Sequence, residues 1–125
     1  MDIEILFQEN YKAKKEILEF CRLKKFGKLG ESATKAIEKG YFTRVAIITL
    51  DENVIPKDSE PEAIAEKVWL RTKSLYEEKW YDREDVTKSH PEGYKMRDLF
   101  DGDMIKLESG IMLISTEDGM VRMFA

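Results

Sequence analysis

The sequence predicts one α+β domain over residues 1–125: an antiparallel sheet that includes a C-terminal three-stranded meander, packed on one face by about three helices. Three observations carry this. From Asp103 the chain reads MIKLE, GIMLIS and MVRMFA, apolar runs separated by Glu108-Ser109-Gly110 and Glu117-Asp118-Gly119. Glycine-bearing links of that length are hairpin signals, Asp-Gly among the strongest. Upstream, Val45-Ala46-Ile47-Ile48 inside Tyr41–Leu50 suits a strand covered on both faces, and we take it as the stretch the chain is arranged around. Between and before these lie amphipathic helical patterns with recognisable start signals.

Taken in order, Ile3, Ile5 and Phe7 alternate with Asp2, Glu4 and Leu6, a pattern that fits a short strand or a helix start equally. Asn10 can cap the helix that follows, because its side-chain oxygen accepts from the free N–H groups of a first turn. Tyr11, Ala13, Ile17, Leu18, Phe20 and Cys21 share one side of that helix, which is expected to run to about Lys24. Leu23–Gly30 reads as a basic, glycine-punctuated connection. A short helix is expected over Glu31–Lys39, closed by Gly40 in the left-handed conformation. Ser59-Glu60-Pro61-Glu62 places a capping serine three residues before a glutamate, with proline in the first turn. Ile64, Ala65, Val68, Trp69, Thr72, Leu75, Tyr76 and Trp80 then line a predicted helix of about twenty residues. Leu70 and Tyr81 fall off that stripe and are candidates for a contact patch. Asp82–Gly93 reads as a loop, and Tyr94–Phe100 as a helical turn or two.

The charged fraction, 37%, is well above the roughly 25% of ordinary globular chains. With 10% aromatic residues the chain still has the material for a core, so it is not expected to be disordered. No apolar run is long enough to span a bilayer. MDIEILFQEN is acidic where a secretory signal is basic, and a single cysteine excludes an internal disulfide. We therefore expect a cytoplasmic chain with no membrane partner. Charge is unevenly spread: residues 11–44 carry a local +6 and residues 45–125 a local −7.

Candidate chemistry is thin. His90, before Pro91 in a charged loop, has no sequence neighbour prepared to orient it for catalysis. Cys21 sits on an apolar stripe and is expected to pack. Asp98, Asp101, Asp103 and Glu108 cluster around Gly102, but Asp101-Gly102-Asp103 does not match a calcium loop and reads as a solvated turn. Gly27 and Gly30 lack phosphate-loop spacing, leaving only a weak anion site at the start of the helix predicted from Glu31. Ser32–Gly40 followed by RVAIIT resembles the helix-to-strand passage of the ribosomal-protein-type family that binds kink-turn RNA. Glu31-Ser32 stands where that family has its RNA-reading Asn-Glu pair, and the downstream meander departs from its alternating helices and strands. The chain is not assigned to it.

The leading expectation is a non-enzymatic interaction protein, such as an inhibitor, an immunity factor or an accessory subunit, acting by stoichiometric binding to a protein partner. A local charge of −7 suits a basic partner, with Leu70, Tyr81, Asp101 and Asp103 as the candidate partner surface. The alternative is nucleic-acid binding through the basic segment 11–44, with Lys24, Lys25, Lys28 and Arg44 on phosphates. A third reading is an enzyme whose carboxylate site is assembled from residues distant in sequence. No cofactor or metal is expected.

Overall fold

A computed structural model of the chain describes residues 1–56, 58–75 and 78–124. Among these residues six strands form one antiparallel sheet: β1 (Asp2–Gln8), β2 (Phe42–Thr49), β3 (Val86–Lys88), β4 (Met104–Lys106), β5 (Met112–Thr116) and β6 (Gly119–Arg122). Their spatial order is β3-β2-β1-β4-β5-β6. Three helices, α1 (Tyr11–Arg22), α2 (Phe26–Glu38) and α3 (Pro61–Arg71), and a 3₁₀ turn at Trp80–Asp82 complete the described elements. The α+β class and the C-terminal meander are as the sequence predicts.

The first segment is a strand. Alternation puts Ile3, Ile5 and Phe7, all fully buried, on one face of β1 and turns Leu6 to the other. β1 also joins the two halves of the sheet, pairing with β2 on one side and β4 on the other. The run Val45–Ile48 therefore shares a sheet with the meander, but β1 and β4 occupy its middle. The run escapes strict alternation through a bulge. The register passes from Ile5↔Ala46 to Leu6↔Arg44, and the extra residue, Val45, joins Ala46 and Ile48 in one core.

The helices divide between the two faces instead of sharing one. α3 packs Ile64, Ala65 and Val68 against Ile3, Ile5, Ile105 and Leu113. α1 and α2 bring Ile17, Leu29, Ala33 and Ala36 against Leu6, Met104, Ile114 and Met123. The reason lies in the strands: Leu6, Met104 and Ile114 are apolar on the side opposite Ile5, Ile105 and Leu113, so both faces carry surface that must leave water.

α1 is capped as expected, Asn10 Oδ1 accepting from the Ala13 N–H at 2.9 Å. α2 starts at Phe26, not Glu31. Lys24 adopts φ 56°, which turns the chain straight from one helix into the next. Leu29, Ala33 and Ala36 form a stripe whose burial outweighs the roughly 1 kcal/mol each glycine costs inside a helix. Gly30 also has a packing role, since a Cβ there would touch the Phe124 ring and the Met123 carbonyl at 3.6 Å. Gly40 ends α2 with φ 71°, as predicted.

α3 spans only 11 residues. Pro61 opens it, but Glu60 is the cap residue and no side chain caps the first turn; the Glu62 carboxylate bonds Arg122 instead. Its far end is stopped by Thr72 and by groups distant in sequence. Thr72 Oγ1 donates to the Trp69 carbonyl at 2.8 Å, and Asp98 accepts from the Ser74 N–H and hydroxyl. The Arg83 guanidinium donates to the Arg71 and Lys73 carbonyls at 3.0 and 3.3 Å. These bonds offer the backbone an alternative to further helix. Leu75 is consequently exposed and Trp80 is buried from the separate 3₁₀ turn. Tyr76, placed on the same stripe by its spacing, lies outside the described residues. The 82–93 stretch contains β3, and Tyr94–Phe100 is an irregular strap with no helix. Among the described residues no helix is long and apolar enough to cross a membrane.

Candidate functional site

The acidic group of the sequence does not form a surface cluster. Asp103 is 1% exposed. Its carboxylate accepts from Arg97 at 2.5 and 3.0 Å, from the Gln8 N–H at 2.9 Å and from the Phe100 N–H at 2.8 Å. Asp103 is thus a buried clasp between β1 and the strap, neither a solvated turn nor a partner surface. The turn at Gly102 (φ 92°) swings its side chain inward while the β4–β5 ladder continues past it. Asp98 holds Ser74, and Glu108 accepts from the Asp2 N–H at 3.2 Å. Among the described residues no group of three or more His, Cys, Asp or Glu side chains could hold a metal ion.

Asp101 remains at the surface, in a pocket of ≈ 320 Å³ shared with Lys15, Cys21, Arg22 and Glu117. Burial pushes the Cys21 thiol from 9.0 up to about 11, so little thiolate exists near neutrality. We expect iodoacetamide to label Cys21 slowly at pH 8 in the native protein and rapidly in urea. Equal rates would mean the thiol is not held in this environment.

Leu70 is 62% exposed, whereas Tyr81 is half-buried, edge-to-face with Trp80 at 5.6 Å, with Lys88 Nζ over its ring at 5.9 Å. These contacts make Tyr81 an outlying core residue. His90 is half-buried, with Nδ1 2.9 Å from the Pro91 carbonyl oxygen. Lys24, Lys25 and Lys28 are exposed around the α1–α2 turn. Arg44 is elsewhere: it projects from β2 beside Glu4 at 3.3 Å, with Lys106 on the same carboxylate at 3.8 Å. The helix start expected at Glu31 as an anion site is helix interior.

The more informative feature is the asymmetry of the sheet edges. β3 is short, three residues, and is flanked by the Lys88–Asp82 ion pair, a protected edge. At the other edge, β6 pairs with β5 on one side and has no strand beyond it among the described residues. The Ser115 N–H bonds the Asp103 carbonyl on the β4 side and the Met123 N–H bonds the Met112 carbonyl on the β6 side. Antiparallel alternation then directs the backbone of Val121 inward and that of Met120 and Arg122 outward. One outward donor is occupied: the Met120 N–H bonds Glu66 Oε1 from α3 at 3.1 Å. Glu62, one turn earlier on α3, receives Arg122 at 2.5 and 3.3 Å.

Beside this edge runs a groove of ≈ 470 Å³, bounded by Phe26 of α2, Glu62 of α3, and Val121, Met123 and Phe124. A second hollow of ≈ 320 Å³ continues it past Arg122 to the β4–β5 turn at Ser109 and Gly110. Phe26 is 53% exposed and Phe124 38%. Sequence reasoning missed this site because it began α2 too late. Phe26 is one turn before Leu29, so it extends the buried Leu29–Ala33–Ala36 stripe past the margin of the sheet. Comparisons with protein-family models, curated proteins and solved structures find no match to this chain.

Proposed function

We propose that the chain works by stoichiometric binding to a protein partner, as an inhibitor, immunity factor or accessory subunit does, and that β6 with its adjoining groove is the surface it presents. The observation that supports this is the β6 edge, with no strand beyond it among the described residues and two exposed phenylalanines beside it. An added strand gains direction and register from backbone hydrogen bonds, and aromatic anchors in a groove supply most of the binding energy. The test is affinity capture of the tagged chain from its host lysate at high salt after nuclease treatment, alongside a Phe26→Ser/Phe124→Ser variant. One protein retained by the native chain and lost from the variant is the expected result. An empty capture by the native chain overturns the proposal.

A second reading has one observation in its favour. Lys24, Lys25 and Lys28 are exposed, and none of them makes an ion pair among the described residues, while Phe26 lies between them as a stacking surface. Arg44, paired on the sheet, is no part of that patch. Capture that disappears with nuclease and falls steeply with salt would favour nucleic acid.

A further inference from the structure

Resting on the protein-binding reading, we infer that the occupant of the β6 edge is an extended basic segment of the partner, alternating apolar residues with lysine or arginine, and that Glu66 is the residue that admits it. The α3 side of the edge is acidic. Glu60 and Glu62 stand near Arg122, Glu66 lies one turn further along the helix, and Glu117 and Asp118 form the β5–β6 turn. Arg122 is the sole base β6 contributes, and it is committed to Glu62.

Strand addition needs the outward groups of Met120 and Arg122, and Glu66 already occupies the Met120 N–H. A lysine or arginine on the incoming strand gives that carboxylate a new partner, releasing the N–H to the strand's own carbonyl. An acidic or neutral strand offers no such exchange and leaves Glu66 in place. Charge also decides against a second copy. The β6 of a second copy brings one base to the seam, Arg122, already held by its own Glu62, and so has no free base to offer Glu66. The groove beyond the edge, with Phe26 and Phe124, takes the apolar residues that alternate with the basic ones.

The experiment uses the intact chain and synthetic peptides of about eight residues. One alternates valine with lysine, a second has glutamate for lysine, and a third repeats the first with alternate peptide nitrogens methylated in either register. Binding is read by fluorescence anisotropy and amide exchange of Arg122 by NMR. We expect the lysine peptide to bind at least roughly tenfold tighter than the glutamate peptide and than one of the two methylated registers, and to slow Arg122 exchange. Glu66→Ala, which uncovers the Met120 N–H without altering the β5–β6 ladder, is expected to raise affinity for a valine–serine peptide and narrow the preference for lysine. Equal binding of lysine and glutamate peptides, no binding of either, or binding without protection of Arg122 overturns the inference. So does a concentration-dependent dimer that protects Arg122 in the absence of peptide. If the lysate capture still depends on Phe26 and Phe124 while the peptides fail, the inference falls and the protein-binding reading stands. If the capture is empty, it is that reading that falls.

Discussion

Asp103→Ala is expected to lower the stability of the fold by about 3–5 kcal/mol, read as a fall in the urea unfolding midpoint with the slope unchanged. The substitution strips the Gln8 and Phe100 N–H groups of their acceptor and leaves Arg97 without its carboxylate. Each orphaned buried donor costs about 1–3 kcal/mol. The guanidinium softens the loss, since the Arg97 side chain is 43% exposed and can recover water. Pairing Asp103→Leu with Arg97→Met should recover only part of the deficit, because both backbone donors stay orphaned. A loss under about 1 kcal/mol would show that the clasp is not what joins the strap to β1.

Trp80→Ala is the second large effect, about 3–5 kcal/mol, as for other fully buried aromatics. Trp80 fills the core under α3, and its Nε1–H donates to the Arg97 carbonyl at 2.9 Å. Trp80→Phe keeps most of the volume and removes that donor, for a smaller loss of about 1–2 kcal/mol. Asp103 and Trp80 grip Arg97 from two sides, one by its guanidinium and the other by its carbonyl. The double variant should therefore lose less than the sum of the single losses, by about 0.5 kcal/mol or more. Strict additivity would mean that the strap is held in independent pieces.

What could be read from the chain, and what could not, follows from how local each cause is. The meander was legible because Glu108-Ser109-Gly110 and Glu117-Asp118-Gly119 encode their own turns, with Gly110 at φ 92° and Gly119 at φ 116°. Asn10 and Gly40 were legible for the same reason. The end of α3 was not, because the groups that stop it, Arg83 and Asp98, come from separate segments of the chain. Periodicity alone carried the predicted helix on to Trp80. Asp103 was misread because an acid beside a glycine looks solvated until Arg97 is seen folded over the Phe7 ring at 4.0 Å, next to it. For the candidate site, the residue pattern announced the strands of the meander but not the edge they would form. Which edge it was depended on the order of strands, and the position of Phe26 depended on a left-handed Lys24 that no residue pattern announces.

β1 precedes the other described strands in the chain yet is used in the middle of the sheet. It can pair with β2 as soon as Thr49 is made, but its other side waits for Met104–Lys106. Among the described residues the ladder joining the β3-β2-β1 half of the sheet to the β4-β5-β6 half has three residue pairs, Glu4↔Lys106, Ile5↔Ile105 and Leu6↔Met104. A seam between such distant segments closes slowly, because loop entropy is spent before the contacts return it. Between the synthesis of Thr49 and that of Met104, the nascent chain therefore carries β1 as a bare apolar margin. During that interval the sticky side of the molecule is a strand that the finished protein holds between two others.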